Sequence, residues 1–186
     1  MPYIDVIEHK DATGHLKEIY DDLVAKRGKL AGVHKIQSLN PESIVGHMNL
    51  YMTIMFGRSP LKRYQREMIA VVVSAANKCS YCIQHHAEAL NHYWKDEKRV
   101  QILGEDFFKL DLTPAEAAMC RYAKALTVSP SKNANGALVN EMKAAGLTDR
   151  TVLDVTLVCA YFNFVNRMVL GLGVELETDA GKGYKY

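Results

Sequence analysis

Cysteine is scarce, 4 in 186 residues, which excludes a disulfide-built scaffold. An excess of either charge is missing too: 23 Lys and Arg stand against 21 Asp and Glu, for a formal net charge of +2. No run of like charge marks a nucleic-acid or membrane surface, so neither partner is expected. The start, Met1-Pro2-Tyr3-Ile4-Asp5-Val6-Ile7-Glu8, lacks the basic start and apolar run of a secretory signal, and no stretch reads as a membrane span. A soluble, cytoplasmic protein is the expectation. There is no Gly-rich phosphate loop after a strand, and Ile83 after Cys82 breaks the haem-attachment pattern Cys-x-x-Cys-His. No cofactor is expected. Internal repeats and low-complexity tracts are absent as well.

What is present reads as helices in one domain spanning 1–186, long enough to bury a core. Residues 1–40 form an N-terminal arm and helix: Leu16, Ile19, Tyr20 and Leu23 recur by threes and fours between Thr13 and Arg27. A largely polar passage from Gly28 to Asn40 precedes Pro41, which suits a first helical turn. The helix it opens carries Ile44, Val45, Met48, Leu50, Tyr51, Ile54, Met55 and Phe56, a width of apolar surface that predicts a central position. Met68 to Val73 would pass alone for a buried strand. Without companion strands bounded by turn pairs, the segment Leu61–Ala76 is read as helix. Further helices are expected from Cys79 to Trp94, across Asp96–Gly104, from the capping box Thr113-Pro114-Ala115-Glu116 to Thr127, between Gly136 and Ala145, and from Thr148-Asp149 to Val169. Residues 177–186 read as a mobile or partner-docked tail. The motif-bearing core is 43–126.

The chemistry concentrates in Cys79-Ser80-Tyr81-Cys82 followed by His85-His86. If Cys79 opens a helix, Cys82 and His86 follow on one stripe at i+3 and i+7. Thiols at that spacing can close into a disulfide, and the free amides of a helix start stabilise thiolate. His86 is a candidate proton acceptor, and Glu67 a carboxylate to orient it if a turn between two helices brings it close. His85 stands about 100° around the helix from His86, so it need not face the same pocket. Cys120 and Cys159 fall in apolar helical patterns and read as packing residues. Asn163, Asn166 and Arg167 share one helical face and read as helix-to-helix hydrogen bonding or a subunit contact, with a pocket role as the alternative.

Glu67, the Cys79–Cys82 motif and His86, with the late segment Tyr161-Phe162-Asn163-Phe164-Val165-Asn166-Arg167, resemble the alkyl hydroperoxidase D-like (AhpD-like) family of the carboxymuconolactone decarboxylase superfamily, in its peroxidase-related branch. The resemblance implies an all-α AhpD-like helical bundle that assembles into homo-oligomers, trimer or hexamer favoured. It implies Cys82 as attacking thiol, Cys79 as its disulfide partner, and His86 with Glu67 as proton relay. The substrate would be a hydroperoxide and the reductant a thioredoxin-like or lipoyl dithiol. Alkyl hydroperoxidase D itself has a histidine where this chain has Tyr81, a poor base at neutral pH. Tyr81 and His85 are therefore auxiliary candidates.

Three other readings use the same residues. A disulfide reductase or redox sensor keeps the thiol pair without peroxide, and a non-catalytic structural oligomer makes it incidental. Zinc would find three ligands in Cys79, Cys82 and His86, with Glu67 to close the shell, but no second Cys-x-x-Cys or His-x-x-x-His block accompanies them.

Overall fold

The computed structural model describes residues 1–133 and 136–177. It is helical throughout, with no strand among the described residues. The elements are α1 (Gly14–Arg27), α2 (Gly32–Lys35), α3 (Pro41–Tyr51), α4 (Arg63–Ala76), α5 (Ser80–Trp94), α6 (Glu97–Asp106), α7 (Pro114–Val128), α8 (Ala137–Ala144) and α9 (Asp149–Leu172).

The centre is α4. Every residue from Arg66 to Ser74 is buried, because α5, α7 and α9 cover it from different sides. A helix enclosed on all sides has no polar face, which is why its sequence shows a continuous apolar run. Full burial of each such side chain contributes about 1.5–3 kcal/mol, so a charged residue at Val71 would remove one contribution and strand a charge. The expectation that the helix after Pro41 is central is corrected. Ile44 and Met55 are buried, but Leu50, Met52 and Phe56 are exposed, and the chain widens into a π-turn at Met52–Phe56 before Gly57. That helix packs with α1 around a satellite core of Leu16, Tyr20, Leu23 and Ile44.

The capping box at Thr113 forms, with Glu116 accepting from the Thr113 backbone N–H at 3.0 Å. The polar passage after α1 contains α2, which was not anticipated. The membrane reading also changes: α9 is long and apolar enough to cross a bilayer by length and composition. Here it is a core helix, with Val155, Val158, Cys159 and Phe162 packed inward. Of the expected tail, residues 178–186 lie outside the described residues. Glu177 lies within them and is docked on the site.

Candidate functional site

The α4–α5 turn builds the site. Asn77 ends α4, and Lys78 takes a left-handed backbone, φ 57°, that reverses the chain within two residues. The Cys79 N–H then donates back to the Ser74 carbonyl at 2.9 Å. Asn77 Nδ2 donates to Asn163 Oδ1 at 3.0 Å and Asn166 Oδ1 at 3.1 Å, pinning the turn to α9. The Asn163–Asn166 face thus works as helix-to-helix hydrogen bonding, as read from the sequence.

Cys79 is the N-cap of α5 and Cys82 lies one turn in, both buried and both free. Their sulfurs are 3.0 Å apart. The hydrogen bond from the Cys82 thiol holds Cys79 below the usual cysteine range; burial opposes the shift and the Cys82 backbone N–H supports it. Cys82 is pushed up, first by that same bond to Cys79 and then by burial, with Asn166 acting the other way. Between the two sulfurs, charge is therefore favoured on Cys79 and the proton on Cys82. Only Cys82 of the two lines a cavity of about 80 Å³, which His85 and His86 also line.

Across the turn, Glu67 is fully buried on α4 and meets His86 Nδ1 at 2.7 Å. Arg63, one turn before it, binds the other carboxylate oxygen of Glu67 and stacks its guanidinium 3.9 Å over the Phe56 ring. Phe162 meets the His86 ring edge-on at 4.4 Å. The imidazole is thus oriented by a carboxylate whose charge is itself compensated, the arrangement that lets a histidine take and return protons.

His85 lines the cavity too, a point its helical angle left open. Its Nε2 meets Glu177 Oε2 at 2.9 Å. Glu177 Oε1 accepts from the Gly32 N–H at 2.7 Å and the Tyr81 hydroxyl at 2.9 Å. Burial works against the Glu177 charge, yet the hydrogen bonds from His85 and the Gly32 backbone bring its carboxyl down to about 2. Sequence reasoning missed this contact, which joins residues 92 positions apart.

It also missed His47 and His34. Gln37 Nε2 donates to His47 Nδ1 at 2.8 Å, which leaves the ring proton on Nε2, 2.7 Å from the Tyr161 hydroxyl. Burial lowers His47 to about 4. Burial, then His47 beside it, lowers His34 to about 3. Both are neutral walls of the cavity. Among the described residues no group of three or more His, Cys, Asp or Glu side chains is arranged to hold a metal ion. The residues weighed for zinc sit instead as two pairs, Cys79 with Cys82 and Glu67 with His86.

Residues 46–125 match the carboxymuconolactone decarboxylase family. The uncharacterised protein YdfG of Bacillus subtilis (strain 168) is 26% identical over 120 residues, covering 62% of this chain and 78% of YdfG. A solved alkylhydroperoxidase AhpD core, an uncharacterised peroxidase-related protein from Ralstonia eutropha JMP134, shares the fold with a TM-score of 0.85 and 24% identity, over 99% of this chain and 98% of that one. The debrominase Bmp8, solved in complex with 2,3,4-tribromopyrrole, also shares it, with a TM-score of 0.79 and 19% identity over 96% and 93% of the two chains.

Proposed function

We propose that this chain, which belongs to the carboxymuconolactone decarboxylase family and has an AhpD-like fold, is a thiol-dependent oxidoreductase that reduces hydroperoxides. The observation that carries the reading is the Cys79–Cys82 sulfur pair at 3.0 Å beside a cavity walled by a carboxylate-bound imidazole.

In the proposed cycle Cys82 passes its proton to Cys79 and attacks the hydroperoxide. The sulfur–oxygen bond forms, the O–O bond breaks, and the alkoxide leaves as alcohol once protonated. Cys82 is then a sulfenic acid. Cys79, its thiol deprotonated again, attacks that sulfur, displacing hydroxide that leaves as water and closing the disulfide. The one thiol proton that the pair holds ends on the alcohol and the hydroxide takes a proton from solvent, with His86 and Glu67 as the relay. A thioredoxin-like or lipoyl dithiol then reduces the disulfide, which suits a reducing, cytoplasmic setting. Neutral His34 and His47 and the rings around them form an uncharged part of the cavity wall, which Arg27 also lines.

Mass spectrometry of the reduced protein after one equivalent of tert-butyl hydroperoxide tests this. The expected product is a Cys79–Cys82 disulfide formed far faster than a free thiol oxidises, with sulfenic acid trapped on Cys82 in Cys79→Ser. Oxidation no faster than that of free cysteine overturns the reading in favour of disulfide exchange.

A second substrate is favoured by the cavity's aromatic wall of Tyr51, Tyr81, Tyr161 and Phe162, together with the bromopyrrole-bound neighbour. A bromoaromatic would lose bromide and gain hydrogen as the same two thiols become a disulfide. Bromide release from a bromopyrrole by the reduced protein, or none, decides it.

Assembly into a homo-oligomer, a trimer or hexamer, completes the proposal. It is supported by Leu153, Leu157, Phe164 and Leu170 exposed along α9 and by Leu50, Met52 and Phe56 at α3. Light scattering that reads a monomer overturns it.

A further inference from the structure

The hydrogen bonds around His47 leave one hydrogen over. We propose that the Tyr161 hydroxyl, aimed by Gln37 and His47, is the hydrogen-bond donor that holds the peroxide group of the substrate in the cavity that Cys82 lines. This rests on the hydroperoxide-reducing reading above.

Donor and acceptor roles along this chain of contacts follow one from another. Gln37 Nε2 lies 2.8 Å from the Val33 carbonyl oxygen and 2.8 Å from His47 Nδ1. A carbonyl only accepts, so the atom facing it is the amide nitrogen, and the second amide hydrogen goes to His47 Nδ1. The proton of the neutral imidazole is therefore on Nε2, which donates to the Tyr161 oxygen at 2.7 Å. An oxygen that accepts on one side keeps its own hydrogen off that side. Among the described residues no acceptor meets that hydrogen.

Burial gives the spare hydrogen its meaning. Tyr161 is only 5% exposed, and a buried donor without an acceptor costs about 1–3 kcal/mol, so the partner belongs to whatever fills the space that Tyr161 lines. That space is the cavity of about 80 Å³ whose wall also carries His47, Cys82 and His86. Burial, then Tyr51 and Cys82 nearby, hold the Tyr161 hydroxyl well above the ordinary phenol range, so at neutral pH it is a donor. Its ring is packed against those of His47 at 5.6 Å, Tyr51 at 5.7 Å and Phe162 at 5.0 Å, which keeps the hydroxyl from swinging away. The Tyr81 hydroxyl on the same wall is already committed to Glu177 at 2.9 Å. A hydroperoxide brings oxygen acceptors to Tyr161; a disulfide or a bromoaromatic brings only weak ones.

Two measurements test this. Nitrogen NMR of the histidine rings, with the His47 signals assigned by their loss in His47→Gln, reads the tautomer in the wild type. The proton is expected on Nε2, and a proton on Nδ1 overturns the aiming of Tyr161. Oxidation of the reduced protein under single-turnover conditions is then followed by thiol loss with tert-butyl hydroperoxide and with dimethyl disulfide, which takes the same two electrons and leaves as methanethiol. Tyr161→Phe is expected to slow the hydroperoxide about 10-fold and dimethyl disulfide by less than about 2-fold. His47→Gln, which keeps a donor to the Tyr161 oxygen, is expected to stay within about 3-fold of wild type on both. Equal slowing of both oxidants by Tyr161→Phe, or of neither, overturns the assignment, because loosened packing does not distinguish an oxygen acceptor from a sulfur one. If the wild type reacts with hydroperoxide no faster than free cysteine, the hydroperoxide reading falls and this one with it; a fast wild type beside an equally fast Tyr161→Phe removes this one alone. Circular dichroism confirms that the variants are folded.

Discussion

The chain has two sets of buried cysteines with opposite characters. Cys120 on α7 and Cys159 on α9 are fully buried in helix interiors. Burial, then Glu116, pushes Cys120 up to about 12, and burial, then Cys120, pushes Cys159 higher still. Cys79 and Cys82 are as deeply buried, and Cys82 is pushed up as well, yet the bond between the two sulfurs shifts Cys79 down. The difference is local: Cys79 stands at a helix start, a second sulfur lies within 3.0 Å, and Cys82 borders a cavity with two histidines. Burial alone silences a thiol; burial beside a donor and an opening prepares one.

The largest effect that tests this contrast is loss of the disulfide. Cys82→Ser and Cys79→Ser are each expected to form no intramolecular disulfide on hydroperoxide treatment. Cys120→Ala and Cys159→Ala should oxidise at the wild-type rate and lose about 1–2 kcal/mol of stability to unfilled space. Thiol counting by mass spectrometry with urea unfolding separates the two. Rapid oxidation at Cys120 or Cys159 would break the comparison.

Glu67→Gln comes next. It is expected to slow oxidation about 100-fold by leaving His86 without its carboxylate, and to cost about 3 kcal/mol because Arg63 then keeps a largely buried, uncompensated charge. Arg63→Met added to Glu67→Gln should recover stability without recovering the rate. If both return together, Glu67 is a structural ion-pair residue and the relay reading fails.

Glu67 and Glu177 show what the sequence made legible. Glu67 belongs to a motif of short spacing: one turn of chain separates its helix from that of the thiols and His86, so local geometry brings the set together. Glu177 reaches His85 only because α9 runs the length of the core and delivers its end there, and no periodicity or spacing encodes that. The helices after α3 were legible from caps and apolar stripes, including α4, whose continuous apolar run signals enclosure. The helix after Pro41 was misplaced because apolar width tells how much surface wants cover, not whether the same chain supplies it. His47 was invisible for a related reason: its partners Gln37 and Tyr161 come from opposite ends of the chain.

Burial that silences Cys120 also silences His34 and His47, and this gives a pH prediction. An imidazole titrating near 6.5 unfolded and at about 4 folded takes up its proton only in the unfolded chain between those values. Stability is therefore full above pH ~6.5 and falls as the pH drops, by about 1.4 kcal/mol per pH unit for each such imidazole. His34, at about 3 folded, adds the same sign. Between pH 6 and 5 the two together should cost about 2.4 kcal/mol, since the unfolded imidazoles are already partly protonated at pH 6 but not yet fully so. His47→Gln, whose amide can still meet Gln37 and Tyr161, should halve that slope. Urea unfolding at the two pH values reads it, and an unchanged slope would mean that His47 is solvated enough to titrate normally.

The smallest effect is a control on the larger ones. Thr113 caps α7 through the Glu116 N–H at 3.3 Å, while Glu116 also accepts from the Tyr64 hydroxyl at 2.8 Å. Thr113→Ala should cost about 1 kcal/mol, measured as a lower urea midpoint, because one helix-start N–H loses its acceptor. It touches neither thiol set, although α7 carries Cys120. The hydroperoxide rate should stay within about 2-fold of wild type, since at neutral pH a loss of that size leaves nearly all molecules folded. If the rate instead falls in step with the midpoint, chemistry at Cys82 depends on global stability, and the slow Glu67 variant would have to be read as a loosened core rather than a broken relay.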